Sequence, residues 1–303
     1  MALNHPITEW SGRTVWIVGG SAGIGAALGQ ALQDTRARLI VSGRRLESLE
    51  AAFPDPSVRK EVFDITDRQA GGQVLARLAA AGWVPDLVFW VAGDYQPQPI
   101  EDFDPADAHR IIETNLSSAY DGLWALLQHW IHGEHPLAAT RRAQGLPPPH
   151  ICWFSSVAGY RGLPLALSYG ASKAGLNAMA ETCFLELKPH AVDVSLVCPG
   201  FVRTRLTEGN DFTMPALISA EEAARETLAG LAQGRFEIHY PRRFTRVMKT
   251  LRILPYRLYF WLVAKTLRKP GPAVEVPHRV THKALHGAEN LGANERPPTG
   301  SQT

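Results

Sequence analysis

The chain has 303 residues, 45% of them apolar, and a formal net charge of +2. That is enough apolar material for one large α/β domain or two small ones, which excludes disorder of the whole, and the near-neutral balance makes no electrostatic case for nucleic acid. Its three cysteines, Cys152, Cys183 and Cys198, lie in apolar stretches and read as buried thiols of a reducing compartment.

The opening residues, MALNHPITEWSGR, carry no apolar run behind a basic segment, so neither secretion nor export is predicted and a cytoplasmic location is expected. From Thr14 onward, short β-branched runs alternate with stretches of helical periodicity: TVWIV, ARLIV, VRKEVF, DLVFWVA, HICWF and VDVSLVC. Strands separated by helices predict an α/β fold with a doubly wound parallel sheet, covered on both faces and joined by right-handed crossovers.

The first strand runs into Val18-Gly19-Gly20-Ser21-Ala22-Gly23-Ile24-Gly25 and then a helical stretch of Ala, Leu and Gln. Glycines at 19, 23 and 25 suit a tight turn, close approach of backbone to a pyrophosphate, and a helix N-terminus aimed at negative charge. A merely flexible turn is the alternative, and the strand before with the helix after favours dinucleotide binding. The second strand ends in Ser42-Gly43-Arg44-Arg45. An acidic residue there would accept from a ribose 2′-OH and repel a 2′-phosphate. Gly43 occupies that place, and Arg44, with Arg45 beside it, could clamp a phosphate through charge-assisted pairs, so NADP(H) is expected over NAD(H). Ordinary surface arginines beside a helix start are the plainer reading.

After the third strand, FDITD contains Asp64, which by itself reads as a helix N-cap, a task open to Thr66 or Asp67 as well. Asn115 lies in the helical stretch IIETNLSSAY, where an asparagine alone reads as a polar surface residue. The segment from Gly133 to His150, ending LPPPH, is expected to be an exposed, non-helical insertion.

The fifth strand leads to Ser156, whose hydroxyl could hydrogen-bond a developing alkoxide. Ser155 is the rival, and the spacing to Tyr169 favours Ser156. No G-x-S-x-G surrounds it, which argues against a hydrolase nucleophile. Tyr169-Gly-Ala-Ser-Lys173 places a phenol and an amine one helical turn apart on one face. Working at neutral pH asks roughly 4 kcal/mol of a tyrosine that titrates near 10. One ammonium about 4 Å away, at an effective dielectric near 20, supplies about that much. Lys173 is therefore expected to lower the Tyr169 pKa, helped by the positive nicotinamide of an oxidised cofactor.

The G-x-x-x-G-x-G spacing, followed in order by Asn115, Ser156, Tyr169 and Lys173, resembles the short-chain dehydrogenase/reductase family over residues 14 to about 240. The resemblance implies a Rossmann-type fold and interconversion of a small-molecule carbonyl and a secondary alcohol by hydride transfer with NADP(H). Tyr169 would be the general acid/base, Lys173 would also hold the nicotinamide ribose hydroxyls, and Asn115 would help hold a water linking Lys173 to solvent. It also implies a cofactor site made of Gly19, Ser21, Gly23, Ile24, Gly25, Arg44, Asp64, Ile65, Ala92, Gly93, Tyr169, Lys173, Val202 and Thr204. Asp64 would face adenine, and the Val202 backbone and Thr204 hydroxyl would orient the carboxamide. Two departures stand out: Val18 replaces a threonine, and Trp90-Val91 replaces two asparagines ahead of Ala92-Gly93, losing polar contacts on the central strand. A homo-oligomer is expected. In the family the region between Leu206 and Ser219 covers the substrate; here it holds Gly209, Asn210, Phe212, Met214, Pro215 and Leu217.

Two histidine sets, His129/His132/His135 and His278/His282/His286, lack cysteine or carboxylate partners at metal-binding spacing and read as solvated, so no metal is expected. Residues 241–270 form a basic, aromatic helical extension. It is too interrupted by charge to span a bilayer and is kinked at Pro255, and within it 243–269 suits either an anionic membrane surface or packing on the enzyme body or a dimer mate. The Pro-, Gly- and His-rich tail, 271–303, is expected to be disordered. Two other function classes stay open: an NADP(H)-binding sensor or scaffold without turnover, and a peripheral membrane adaptor acting through the extension.

Overall fold

The structure, a computed structural model, describes residues 2–208 and 214–265. The tail, and the Gly209, Asn210 and Phe212 part of the expected cover, lie outside the described residues. Seven parallel strands form one sheet in the order β3-β2-β1-β4-β5-β6-β7: β1 (Thr14–Val18), β2 (Arg38–Gly43), β3 (Arg59–Val62), β4 (Leu87–Trp90), β5 (His150–Phe154), β6 (Asp193–Pro199) and β7 (Glu237–Tyr240). The seventh strand was not anticipated. Its FEIHY surroundings are short and half polar, because an edge strand buries only alternate side chains, here Ile238 and Tyr240.

Helices cover both faces. The chain-order sequence is α1 (Gly23–Gln33), α2 (Leu46–Ala52), α3 (Ala70–Ala80), α4 (Pro105–Ile112), α5 (Ser118–Leu127), α6 (Leu137–Ala143), α7 (Leu167–Leu187) and α8 (Ala220–Ala232). Two further helices close the described chain, α9 (Arg242–Ile253) and α10 (Tyr256–Ala264). Along β1 the side chains alternate between two cores. Trp16 and Val18 join the layer with α3, α5 and α7, while Val15 and Ile17 join the layer with α1, α2 and α8. Strand order reverses between β1 and β4, which opens a crevice at their C-terminal ends, the place where such sheets bind ligands.

One expectation is corrected. The stretch from Gly133 to His150 is not wholly irregular, since Leu137–Ala143 is helical. LAATRRA consists largely of good helix formers, and the prolines flank it instead of interrupting it, with Pro136 at the N-cap. Nor is the segment wholly exposed. Ala138 is buried, the Arg141 side chain donates to the Pro147 carbonyl at 2.6 Å, and it lies 3.4 Å from Asp86.

Trp90 explains its departure from the family pattern by packing. Its ring lies 5.8 Å from that of Trp153, and a β-carbon added at Gly122 of α5 would stand 2.1 Å from it. Aromatic burial between sheet and helix thus takes the place of polar contacts on this strand.

His150, at the start of β5, is fully enclosed beside Ser195 (Nε2 to Oγ, 2.9 Å), and burial pushes its pKa down to about 4 against the raising influence of Asp193. The unfolded chain binds this proton near pH 6.5, so native stability is full above that value and is lost as pH falls towards 4. Roughly 3 kcal/mol should disappear over this window, and urea unfolding of His150→Asn should show a correspondingly shallower acid loss than the wild type. Equal acid slopes in the two proteins would contradict the assignment.

Candidate active site

The floor of the crevice is built from backbone. Gly19 and Gly20 N–H groups both donate to the Ser42 carbonyl (3.0 and 2.9 Å), which ties the turn after β1 to the end of β2. Gly19 has φ +93°, and a β-carbon there would lie 2.6 Å from the Ala92 nitrogen; at Gly25 it would lie 2.1 Å from the Gly19 carbonyl. Side chains at either position would fill the cradle and force the turn from the helix, so these residues fit a pyrophosphate lying against the N-terminus of α1. Thr204 approaches from the opposite side, its methyl 2.9 Å from the position of a Gly23 β-carbon. Val202 is buried and bridges to Ile218, closing the base of the segment that carries Met214 and Leu217.

At the edge of the crevice, Gly43 stands so close to Ser21 that a β-carbon would meet the serine Cβ at 3.3 Å. An acidic side chain would be crowded there. Arg44 and Arg45 follow, both exposed. Asp64 is exposed with Ile65 half-buried beside it. Asp64 does not cap α3, which begins at Ala70 after Gln69; its carboxylate instead accepts from the Thr66 N–H and hydroxyl at 2.9 and 2.8 Å.

The reacting groups converge at the far end. Ala92 donates its N–H to the Val18 carbonyl at 2.9 Å, and Gly93 follows. A β-carbon at Gly93 would be 3.2 Å from Asn115 Oδ1 and 3.4 Å from Lys173 Nζ, so both side chains reach the same spot from two different helices. Asn115 is no surface residue. It sits buried in a π-helical turn, Glu113–Ser117, between α4 and α5, a local widening that often marks functional positions. Its Oδ1 accepts from the Asp94 N–H (2.7 Å), and its Nδ2 donates to the Asp94 carbonyl (2.9 Å) and the Ser172 hydroxyl (3.0 Å). Ser172 in turn donates to the Tyr169 carbonyl at 2.7 Å. The lysine ammonium donates to the Phe154 carbonyl at 2.9 Å and stands 5.7 Å from the Tyr169 ring centre.

Ser155 and Ser156 separate cleanly by partner. Ser155 donates to the Lys173 carbonyl at 3.1 Å, whereas Ser156 faces the Tyr169 phenol and lowers its pKa by hydrogen bonding. Ser156 also accepts from the Ala158 N–H at 3.1 Å, capping a short 3-10 turn.

The electrostatics reverse one expectation. Tyr169 keeps part of its surface accessible, yet burial pushes its phenol up to about 12, outweighing Ser156. Burial likewise pushes the Lys173 amine down to about 8. The predicted lowering of the tyrosine by the lysine is not among the influences on the phenol, where Ser156 is the lowering group. The physical reason is burial: the enclosed site disfavours the charged form of each group, raising the phenol and lowering the amine.

Sequence reasoning missed several supporting residues. Ser172 was legible, three positions after Tyr169 on the same helix. Tyr95, whose ring packs edge-on to Tyr169 at 4.8 Å, and Arg110, which ion-pairs with Asp94, are brought in only by the fold. Leu165 adopts a left-handed φ of +60°, and its carbonyl accepts from the Gln98 N–H at 3.0 Å, joining the loop after β4 to the approach to Tyr169. Among the described residues no group of three His, Cys, Asp or Glu is placed to hold a metal; His278, His282 and His286 lie outside them.

Comparison with known proteins gives a consistent set of likenesses. The sequence profile of the short chain dehydrogenase family matches residues 13–213. A Myxococcus xanthus protein described as an uncharacterised oxidoreductase is 29% identical over 258 residues, covering 84% of this chain and 97% of that protein. Another uncharacterised oxidoreductase, from Streptomyces coelicolor, is 32% identical over 271 residues, covering 83% and 96%. Among solved structures, a short chain dehydrogenase from Burkholderia cenocepacia in complex with NADP superposes with a TM-score of 0.70 at 26% identity, over 84% of this chain and 99% of that one.

Proposed function

Because the chain belongs to the short-chain dehydrogenase/reductase family and is an oxidoreductase of that family, we propose that it interconverts a carbonyl and a secondary alcohol with NADP(H), using Tyr169 as general acid/base. The observation that carries this reading is the convergence of Ser156, Tyr169, Lys173 and Asn115 beside a glycine cradle that a single β-carbon would fill.

NADPH, when bound, would supply a hydride to the carbonyl carbon, and the residues of this chain would do the rest. Ser156 donates a hydrogen bond to the substrate oxygen as negative charge grows on it. Tyr169 hands that oxygen its phenolic proton, which a pKa pushed up to about 12 keeps in place at neutral pH. Lys173 stabilises the phenolate left behind, and with its amine near 8 it is mostly protonated at neutral pH. Asn115 holds the Asp94 backbone and Ser172, fixing the loop and the helix between which Lys173 reaches the site. Gly19, Ser21, Gly23, Ile24 and Gly25 would hold the pyrophosphate, Asp64 and Ile65 the adenine, Val202 and Thr204 the carboxamide, and Ala92 and Gly93 the floor.

NADP(H) is favoured over NAD(H) by the glycine in place of an acid at position 43, where a β-carbon would stand tight against Ser21, and by the exposed Arg44, which has no ion-pair partner among the described residues. Arg44→Ala is expected to raise KM for NADPH by about 10- to 100-fold, the worth of a lost charge-assisted pair, while leaving NADH little changed. Steady-state oxidation of the two coenzymes checks this, and an equal effect on both would count against the assignment. Substrate class is tested by NADPH oxidation over a panel of steroid, retinoid, fatty and xenobiotic carbonyls. No turnover of any panel member, with NADPH still bound, would favour a cofactor-binding sensor instead. A reducing, cytoplasmic setting and a homo-oligomeric state belong to the same proposal, supported by the three buried free thiols and by the exposed Tyr120 and Trp124 on α5.

A further inference from the structure

The C-terminal pair α9 and α10 is fastened to the catalytic loop. Arg161, between Ser156 and Tyr169 in the chain, donates to the carbonyls of Leu251 (3.0 Å), Arg252 (3.2 Å) and Leu254 (2.6 Å) where α9 ends before Pro255; the Leu251 carbonyl also accepts from the Leu254 N–H. Its guanidinium also lies over the rings of Tyr256 (4.5 Å) and Tyr259 (4.1 Å), and the Tyr259 hydroxyl donates to the Gly162 carbonyl. On the inner face of α9, Thr245 and Met248 are buried, and Phe244 packs on Phe201 and Gly200 beside the Val202 segment. The extension therefore touches both the loop between Ser156 and Tyr169 and the Gly200–Phe201 turn ahead of Val202.

Its outer face has a different character. Ile253 (79% exposed), Tyr256 (68%), Phe260 (59%) and Val247 (57%) project from it, interleaved with the exposed Arg243, Arg246 and Arg257. Between positions 241 and 265 there are seven Lys or Arg residues and no Asp or Glu. Lys249 and Arg252 lie within ion-pair distance of Glu237 and Glu181, while Arg243, Arg246 and Arg257 have no carboxylate within that distance among the described residues. A second copy of the chain would meet this face with itself across a two-fold axis, cation against cation, which is unfavourable. Aromatic and aliphatic side chains among arginines with no acid match the headgroup region of an anionic bilayer, where apolar groups enter the acyl boundary and cations meet lipid phosphates.

We infer that the outer face of α9–α10 docks on anionic membrane, with the loop carrying Arg161 setting the catalytic crevice beside the lipid. No described helix is long and apolar enough to cross a membrane, so the contact is one of surface binding. The inference concerns adhesion and stands independently of the reaction proposed above.

The test is co-sedimentation of the full chain with phosphatidylcholine vesicles, with and without phosphatidylglycerol. Binding is expected on the anionic vesicles, to weaken with added salt, and to be at least about tenfold weaker on phosphatidylcholine alone. Arg243→Glu/Arg257→Glu and Ile253→Ser/Phe260→Ser, all at exposed positions, should each weaken binding at least about tenfold while unchanged circular dichroism and Tm report an intact fold. The inference is overturned if the full chain stays in the supernatant, if both vesicle types bind it equally, or if neither variant alters binding. It is equally overturned if the variants leave vesicle binding alone and convert a dimer to a monomer by analytical ultracentrifugation, which would make the face a subunit interface.

Discussion

Tyr169→Phe is expected to lower kcat/KM for carbonyl reduction by about 10³-fold or more, near the upper end of what a positioned proton donor contributes, while NADPH affinity changes little. The substitution removes one oxygen and keeps the ring packed against Tyr95. The glycine cradle and the Lys173–Phe154 contact are untouched, so cofactor binding should persist. The remaining polar groups cannot replace the phenol: Ser156 is aimed at the same oxygen but has no acidity near neutral pH, and the Lys173 ammonium is held at the Phe154 carbonyl, 5.7 Å from the tyrosine ring centre. Turnover measured beside NADPH titration separates chemistry from binding. Retained turnover in the variant would remove the proton-transfer role and with it the enzymatic reading.

Ser156→Ala should cost about 10²- to 10³-fold in kcat, the usual effect of losing one donor to a developing oxyanion. Because Ser156 also accepts from the Ala158 N–H, the variant loses a cap worth about 1 kcal/mol, and a stability change must be separated from a catalytic one. Ser156→Thr keeps both the hydroxyl and the cap and is expected to recover much of the activity. Ser155→Ala is the control, since that hydroxyl is committed to the Lys173 carbonyl and should lower stability with little change in kcat. A larger kcat loss for Ser155→Ala than for Ser156→Ala would reverse the assignment.

How far these groups could be read in advance follows from the range of the forces placing them. The glycine turn was legible because strand, turn and helix are contiguous and the constraint is steric: Gly25 has no room beyond hydrogen against the Gly19 carbonyl. Tyr169 and Lys173 were legible because one helical turn relates them. Asn115 was legible only as a match to a pattern, since neither its burial nor the π-helical turn that aims it is encoded by local periodicity. The helix at Leu137–Ala143 was missed because prolines nearby were weighed above the propensity of the residues between them. The strand Glu237–Tyr240 was missed because half its side chains face away from the core.

By itself, then, the amino-acid order determined the alternation of strands and helices, the phosphate-binding turn and the pairing of phenol with amine, since each depends on sterics and spacing over a few residues. Tertiary structure alone decided the charge states and the surroundings. Burial, which no short segment controls, raises the Tyr169 pKa and lowers that of Lys173. Arg161 finds the carbonyls at the end of α9 some ninety positions along the chain because folding, and not sequence distance, brings donors to acceptors.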